Sequence, residues 1–191
     1  FGTAAAALSD PAVLVRAFPD YRLGLFGFTA WQALLSTVAS VVLGLPGAWI
    51  LARFEFPGRR TVRSLTALPF VMPTIMVAIG FLATFGREGI VNQVLLALGL
   101  PRLELLGTLR IIVLAHAFYD APLIARITAA AWEGVDAGMP ETARSLGASR
   151  LRAFRDVTLP QLLPAILTGA LLTFIFSFMS FAIVLALGGL Q

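Results

Sequence analysis

Residues 26–51 read FGFTAWQALLSTVASVVLGLPGAWIL, which is 26 residues without a charged side chain. A helix of about 20 apolar residues is enough to cross the hydrocarbon core of a bilayer. Residues 65–85 and 162–187 are equally free of charge, and residues 105–125 are apolar apart from Arg110, His116 and Asp120. The sequence therefore predicts an all-α, polytopic transmembrane helical bundle with four spans, in a single domain that covers residues 1–191.

The composition excludes several classes of protein. Of 191 residues, 59% are hydrophobic and only 13% are charged, about half the charged share of a soluble domain. This composition disfavours a water-soluble enzyme and excludes a disordered chain. The chain has no cysteine, one histidine and no lysine, which removes thiolate metal sites, the P-loop lysine and Schiff-base chemistry. We expect no catalytic residue, metal or cofactor here, and therefore a protein that is not itself an enzyme.

The arginines set an orientation. Eight of the fourteen cations follow the first and third spans, on one side of the membrane: Arg53, Arg59, Arg60, Arg63, Arg144, Arg150, Arg152 and Arg155. The positive-inside rule places this side in the cytoplasm, the reverse topology being the alternative. Because the arginines lie between apolar blocks and not on one basic face, we expect a lipid bilayer and no nucleic acid as partner.

The segment 132–160 between the last two spans is polar and helix-forming. Pro140 is suited to a first helical position, Gly147 to a left-handed stop, and Ser149 to the cap of a second helix. Leu151, Phe154 and Val157 then recur every third residue and predict one apolar face, before Leu159 and Pro160 end the helix. A helix lying on anionic lipid is one interpretation, but the glycine bend favours docking to a partner protein.

This segment resembles the EAA loop of ABC importer permeases. The family pattern is E-A-A, three residues, G, nine residues, I, one residue, L-P. Here it is matched with two departures, Thr142 for the first alanine and Val157 for isoleucine. The resemblance implies docking to an ATPase through these residues: Glu141, Thr142, Ala143, Gly147, Leu151, Phe154, Val157, Leu159 and Pro160.

Other stretches extend the resemblance over nearly the whole chain. FTAWQA at 28–33, FPGR at 56–59, FGREG at 85–89, LAHAF at 114–118 and SFAIVLALGG at 180–189 are similar to thiamine importer permeases. Iron(III) permeases share much of this. The resemblance implies part of an ABC type I importer permease fold in the bacterial inner membrane. It also implies a cytoplasmic ATPase dimer, an extracytoplasmic substrate-binding protein and a second permease half as partners, with thiamine as cargo and iron(III) as the alternative.

Polar residues within the spans are candidates for the translocation path. His116 and Asp120 lie four residues apart on one helical face, with Tyr119 beside them. Charged groups inside a membrane are costly and often functional. Ser177 and Ser180 in the last span are further candidates. The alternative for all five residues is ordinary helix packing, and for His116 and Asp120 together it is the proton relay of an ion-coupled secondary transporter.

The ends of the sequence carry two further expectations. Residues 1–24 contain Asp10-Pro11 and Pro19-Asp20 and are predicted to be a loop. A start at Phe1 and a stop at Gln191, with four spans between, predict a piece of a longer chain, similar to the first half of a fused permease without its first and last spans. A membrane scaffold without a transport role is the remaining alternative.

Overall fold

The protein was analysed as a computed structural model, which describes residues 11–136 and 138–188, without the side chains of residues 11–23, 70, 71, 181 and 182. Residues 1–10 of the predicted loop and the final residues 189–191 lie outside it. The described chain is helical, as predicted. Its helices are α1 (Pro11–Arg53), α2 (Arg59–Leu65), α3 (Leu68–Val71), α4 (Thr74–Phe85), α5 (Ile90–Ala97), α6 (Leu109–Glu133), α7 (Gly138–Ser145), α8 (Arg150–Ala153), α9 (Leu159–Met179) and α10 (Phe181–Gly188).

Four helical segments of the described chain are long and apolar enough to cross a membrane: Gly24–Arg53, Thr74–Ala97, Leu109–Glu133 and Arg150–Met179. Their number agrees with the sequence, but their bounds do not. The predicted loop at residues 1–24 is wrong from Pro11 onward, because α1 begins there and continues through Pro19. Pro11 occupies the first helical position, which suits a proline, and Pro19 lies inside the helix, where it removes one backbone donor.

The second span begins later than the predicted residue 65. The chain breaks at Met72, whose backbone is extended, and a new helix starts at Thr74. The break follows from Pro73, because a residue that precedes a proline is pushed away from helical geometry. A turn at residues 86–89 then separates α4 from α5.

The third span is the centre of the bundle. Helix α6 packs mainly against α1, and also contacts α9, α10 and α4. It extends to Glu133, beyond the predicted end at 125, and keeps Pro122 inside. Gly44 of α1 allows the closest approach, because a Cβ there would lie 2.6 Å from Cβ of Ile124 and 2.7 Å from the carbonyl of Ala121. Small residues of the first span such as Gly44 permit this packing.

The last span differs from the prediction at both ends. A π-helical turn over Phe154–Thr158 joins α8 to α9, so Pro160 does not end the helix but lies inside a continuous one. The Leu159 N–H donates to the Phe154 carbonyl, and this wider turn accommodates the missing donor of Pro160. The helix instead breaks at Ser180, and α10 packs against α4 and α6.

The predicted arginine-rich loops lie at one end of the bundle. Arg59 and Arg63 on α2 each place Nη2 2.7 Å from Oε1 of Glu133 at the end of α6. We call this end, formed by residues 53–65 and 132–155, the arginine-rich end. At the opposite end, the Gly107 N–H donates to the Leu187 carbonyl at 2.8 Å.

Candidate functional site

The bend in segment 132–160 is a glycine-terminated helix. Gly147 has φ of 93°, in the left-handed region that favours glycine. Its N–H donates to the Arg144 carbonyl at 3.0 Å, and the Ala148 N–H donates to the Ala143 carbonyl at 3.0 Å. These two bonds form a Schellman motif, which satisfies the last carbonyls of α7. The left-handed stop at Gly147 is confirmed.

The second helix begins where Ser149 caps it. The Ser149 hydroxyl accepts a hydrogen bond from the Arg152 N–H at 3.3 Å, as predicted. The predicted start of α7 at Pro140 is wrong, because the helix begins two residues earlier, at Gly138. There the Asp136 carboxylate accepts the Gly138 N–H at 2.9 Å and satisfies one of the first donors.

The tip of this segment, residues 146–151, presents apolar side chains to its surroundings. Leu146 is 85% exposed and Leu151 is 75% exposed. Glu141 and Thr142 are also exposed, and the Glu141 carboxylate has no partner within the described chain, while Ala143 is half-buried. Leu146 is not among the predicted contact residues. It is an apolar residue directly before the predicted helix-terminating glycine, and that position was the available signal.

Phe154 differs from Leu151 in its surroundings. Its ring stacks on Trp132, with centroids 5.9 Å apart and planes at 29°. Both rings border a groove of about 380 Å³ that lies against α1 and α9, with these other lining residues: Leu45, Pro46, Trp49, Leu159, Leu162 and Ile166. The predicted apolar face is therefore divided, because Leu151 points outward while Phe154 packs on the spans.

Two arginines anchor the segment to the bundle. Glu133 is the last residue of α6, and its Oε1 accepts hydrogen bonds from both Arg59 and Arg63. The Arg59 guanidinium also donates twice to the Leu51 carbonyl, at 2.9 and 2.7 Å, near the end of α1. The ends of α1, α2 and α6 thus form one unit. In the sequence these arginines indicated only the orientation, and Glu133 was not among the predicted site residues.

A buried polar seam runs between α1, α6 and α9. We define it as Gln32, Ser36, His116, Asp120, Thr128, Thr173 and Ser177, all of which are buried. Gln32 Nε2 donates to Ser36 Oγ at 3.0 Å and lies 3.3 Å from His116 Nδ1. The Ser177 hydroxyl donates to Asp120 Oδ2 at 3.1 Å. His116 Nδ1 also lies 2.9 Å from the Ile112 carbonyl on its own helix. His116 and Asp120 share a face of α6, as predicted, but their polar neighbours differ, because His116 contacts Ile112 and Gln32 while Asp120 contacts Ser177.

The other two path candidates lie apart from the seam's hydrogen bonds. Tyr119 is half-buried, and its hydroxyl donates to the Met72 carbonyl at 3.4 Å. Ser180 lies at the break between α9 and α10, and its N–H donates to the Ser177 carbonyl. The structure thus brings His116, Asp120 and Ser177 into one seam, together with Gln32, Thr128 and Thr173. Ser36 of the seam and these last three were not predicted as site residues, although polar side chains inside apolar spans were the available signal.

Several seam atoms have no hydrogen-bond partner within the described chain. They are Gln32 Oε1, His116 Nε2, Asp120 Oδ1, Thr128 Oγ1 and Thr173 Oγ1. A buried polar atom without a partner costs about 1–3 kcal/mol. The seam is therefore ready to hydrogen-bond water or a polar solute whenever the helices separate. In the described chain, no three His, Cys, Asp or Glu side chains come together as a metal site.

Comparison with known proteins gives one family match. Residues 24–191 match the family described as binding-protein-dependent transport system inner membrane component. This range covers all four spans, the segment 132–160 and the seam.

Curated relatives have several different cargoes in their names. The chain is 34% identical to the sulfate transport system permease protein CysT of Salmonella typhimurium, over 84% of this chain and 57% of the relative. It is 35% identical to the thiamine transport system permease protein ThiP of Escherichia coli K12, over 85% of this chain and 30% of the relative. The molybdenum transport system permease protein ModB of Escherichia coli K12 is 36% identical, over 75% and 66%. The chain thus spans between 30% and 66% of the length of these relatives.

Solved structures share the fold. A bacterial ABC transporter involved in the import of the acidic polysaccharide alginate superposes with a TM-score of 0.61, at 21% identity, over 83% of this chain and 60% of the other. An amino acid ABC transporter gives 0.60 at 24% identity, over 94% and 77%. The predicted importer-permease architecture is confirmed.

Proposed function

The chain belongs to the family of binding-protein-dependent transport system inner membrane components, and from this premise we propose that it forms the permease of an ATP-driven importer. It is a multi-pass inner-membrane protein. The observation that carries the proposal is the segment 132–160, whose exposed tip continues as one helix into the last span. ATP hydrolysis belongs to a separate subunit, and this chain moves in response.

The tip of the segment would dock on a cytoplasmic ATPase dimer. Leu146 and Leu151 offer exposed apolar surface, and Glu141 offers a carboxylate without a partner in the described chain. Burying two leucines contributes about 1.5–3 kcal/mol for each side chain. A groove on the ATPase that accepts both leucines and donates to Glu141 would hold the tip firmly.

Movement of the tip would reach the spans along two routes. The backbone is helical from Arg150 to Met179, so a displacement at Leu151 is carried into α9 without a flexible linker. The stacking of Phe154 on Trp132 transfers the same displacement to the end of α6. We propose that this motion separates α6 from α1 and α9 and opens the polar seam.

The end opposite the arginine-rich end would face the substrate-binding protein. Its loops are held by Asn92, whose Nδ2 donates to the carbonyls of Gly86 and Leu103 while its Oδ1 accepts the Leu103 N–H at 2.7 Å. A rigid loop loses little conformational entropy on docking. A second permease half, fused or separate, would complete the path.

For the cargo we propose thiamine, a cation. The percentage identities do not separate thiamine from sulfate or molybdate. The seam supports a cationic cargo, because Asp120 is buried in it and no arginine is among its residues. An unpaired Asp120 oxygen favours a cationic or hydrogen-bond-donating solute over a dianion. Iron(III) is the alternative cation.

A secondary transporter that relays protons through His116 and Asp120 is less well supported. A relay needs the two groups to exchange a proton, yet His116 Nδ1 lies at the Ile112 carbonyl and Asp120 accepts from Ser177 instead. The hypothesis of a scaffold without a transport role does not explain the exposed tip or the polar seam.

The test is uptake by the full-length protein in proteoliposomes, together with its ATPase and binding protein. Labelled thiamine, iron(III), sulfate and molybdate are supplied in parallel, with and without ATP. ATP-dependent uptake of thiamine alone supports the whole proposal. ATP-dependent uptake of a different solute would support the importer proposal and contradict thiamine as the cargo. ATP-independent uptake driven by a proton gradient would contradict the importer proposal itself.

A further inference from the structure

An open groove of about 730 Å³ lies at the arginine-rich end, between α2 and α6. Its lining residues are Arg60, Arg63, Ser64, Ala67, Arg126, Ala130 and Glu133. Three guanidinium groups and one carboxylate therefore line this groove. The groove is separate from the docking tip at residues 146–151 and from the buried seam.

The charges in the groove are not balanced within the chain. Glu133 already binds Arg63, and it also binds Arg59 from outside the lining. Arg60 and Arg126 form no ion pair within the described residues, and both are exposed. Two guanidinium groups thus remain available to an anion. The planar guanidinium binds phosphate oxygens in a bidentate manner, and it does so better than an ammonium group.

The depth of Arg126 places the groove at the membrane surface. Arg110 and Arg126 lie sixteen residues apart on α6, which is about 24 Å along a helix. Since the hydrocarbon core is about 30 Å thick, each side chain reaches its own interface by extending along the helix. The groove therefore lies at headgroup level at the arginine-rich end.

Exposed apolar side chains adjoin the groove-lining residues along the chain. Val62 and Leu65 on α2 and Leu68 on α3 are each between 41% and 52% exposed. Helix α2 has no buried residue at all. Arginines beside exposed aliphatic side chains, on a short helix at headgroup level, fit a ligand that has both a phosphate and acyl chains.

We propose that this groove binds the phosphate headgroup of an anionic phospholipid, with Arg60 and Arg126 as its ligands and Val62, Leu65 and Leu68 against the acyl chains. Free inorganic phosphate offers the same oxygens without the chains. The bound lipid would hold α2 against α6, where Arg63 and Glu133 already join them. This inference needs the membrane location but not the proposed transport activity.

The test is a binding titration of the full-length protein in neutral detergent with fluorescent phosphatidylglycerol, and with phosphatidylcholine as the uncharged comparison. Each arginine near an anionic surface contributes about a fivefold change in affinity. We expect phosphatidylglycerol to bind more tightly than phosphatidylcholine. Arg60→Gln and Arg126→Gln together should raise the Kd for phosphatidylglycerol about thirtyfold.

A matched control separates the groove from overall charge. Arg53→Gln with Arg144→Gln removes two arginines from the same end but outside the groove, and should change the Kd by less than about twofold. Equal losses in the two double variants, or no preference over phosphatidylcholine, would overturn the site. If inorganic phosphate bound the groove with a lower Kd than phosphatidylglycerol and displaced it, phosphate and not a lipid would be the occupant. Should the glutamine variant misfold, Arg60→Lys with Arg126→Lys keeps the charge and should show a smaller loss.

Discussion

At the residue scale, Gly147 acts through its backbone conformation, which forms the bend between α7 and α8. Its φ of 93° would strain a side-chain-bearing residue by about 1–2 kcal/mol, although a Cβ there would meet nothing within 4 Å. The cost is conformational and not steric. The bend that presents Leu146 and Leu151 therefore depends on glycine at this position.

Gly147→Leu should reduce ATP-driven uptake about five- to thirtyfold, because that strain favours other backbone geometries at the tip. Gly147→Asn should retain more uptake, since asparagine tolerates the left-handed region. Uptake in proteoliposomes is the measurement, with membrane insertion checked by quantifying the protein in the membrane fraction.

Gly99 supplies the control for this substitution. It also has a positive φ, of 72°, and open space around its Cβ position, but it lies at the other end of the bundle. Gly99→Leu carries the same backbone cost at the end that would face the substrate-binding protein, so any uptake it loses should return when the binding protein is raised to saturation, whereas the loss in Gly147→Leu should persist. Normal uptake by Gly147→Leu would contradict the coupling role of the bend.

Ser177 allows a second prediction at this scale. Ser177→Ala leaves Asp120 Oδ2 without its donor in a buried seam, so the free energy of unfolding should fall by about 1–3 kcal/mol. Thr168→Ala removes an exposed hydroxyl from the same helix and should change it by less than about 0.5 kcal/mol. Unfolding in detergent, followed by circular dichroism, measures both. Equal changes in the free energy of unfolding would show that the hydrogen bond from Ser177 to Asp120 does not contribute to stability.

At the element scale, the contact between α1 and α6 depends on one glycine. A Cβ at Gly44 would overlap Ile124 and the Ala121 carbonyl, whereas a Cβ at Gly80 of α4 would meet nothing within 4 Å. Gly44→Ala should therefore destabilise the protein by about 1–3 kcal/mol through overpacking. Gly80→Ala should stabilise it by up to about 1 kcal/mol, because alanine is the better helix former. Opposite shifts in Tm are expected, and shifts of the same sign would contradict the packing.

The helices also show what sequence could predict and what it could not. Charge-free runs such as residues 26–51 indicated the spans, because a lipid environment requires long uninterrupted apolar stretches. The left-handed turn at Gly147 and the cap at Ser149 were predictable, since both depend on residues within one turn. Pro160 was misjudged, because a π-helical turn absorbed its missing donor. That adjustment is a property of the whole helix and leaves no local signal.

The site was less predictable than the helices. His116 and Asp120 were identified because charge inside a span stands out. Their partners Gln32 and Ser177 come from positions 84 and 57 residues away along the chain, and only packing selects them. The pairing of Glu133 with Arg59 and Arg63 was missed for the same reason. Spacing locates a polar group on its helix face, but it does not identify the group on the facing helix.

At the scale of the whole molecule, the arrangement of charge predicts which end faces the cytoplasm. The tip at Ser149 lies at the arginine-rich end, and Gln93 lies at the opposite end beside Glu88, whose carbonyl accepts its side chain at 2.8 Å. Both residues are exposed. The chain contains no cysteine, so Ser149→Cys or Gln93→Cys would introduce a thiol that is unique within it.

In intact cells, a membrane-impermeant maleimide should label Gln93→Cys and leave Ser149→Cys unlabelled; in inverted vesicles the pattern should reverse. The physical reason is the excess of arginine at the Ser149 end, which resists translocation during insertion. The parent protein without the added cysteine measures background, and a permeant maleimide confirms that both thiols react. Labelling of Ser149→Cys from outside would place the docking tip away from cytoplasmic ATP. The reverse topology would then hold, and ATP-driven coupling through Gly147 would be impossible whatever the cargo.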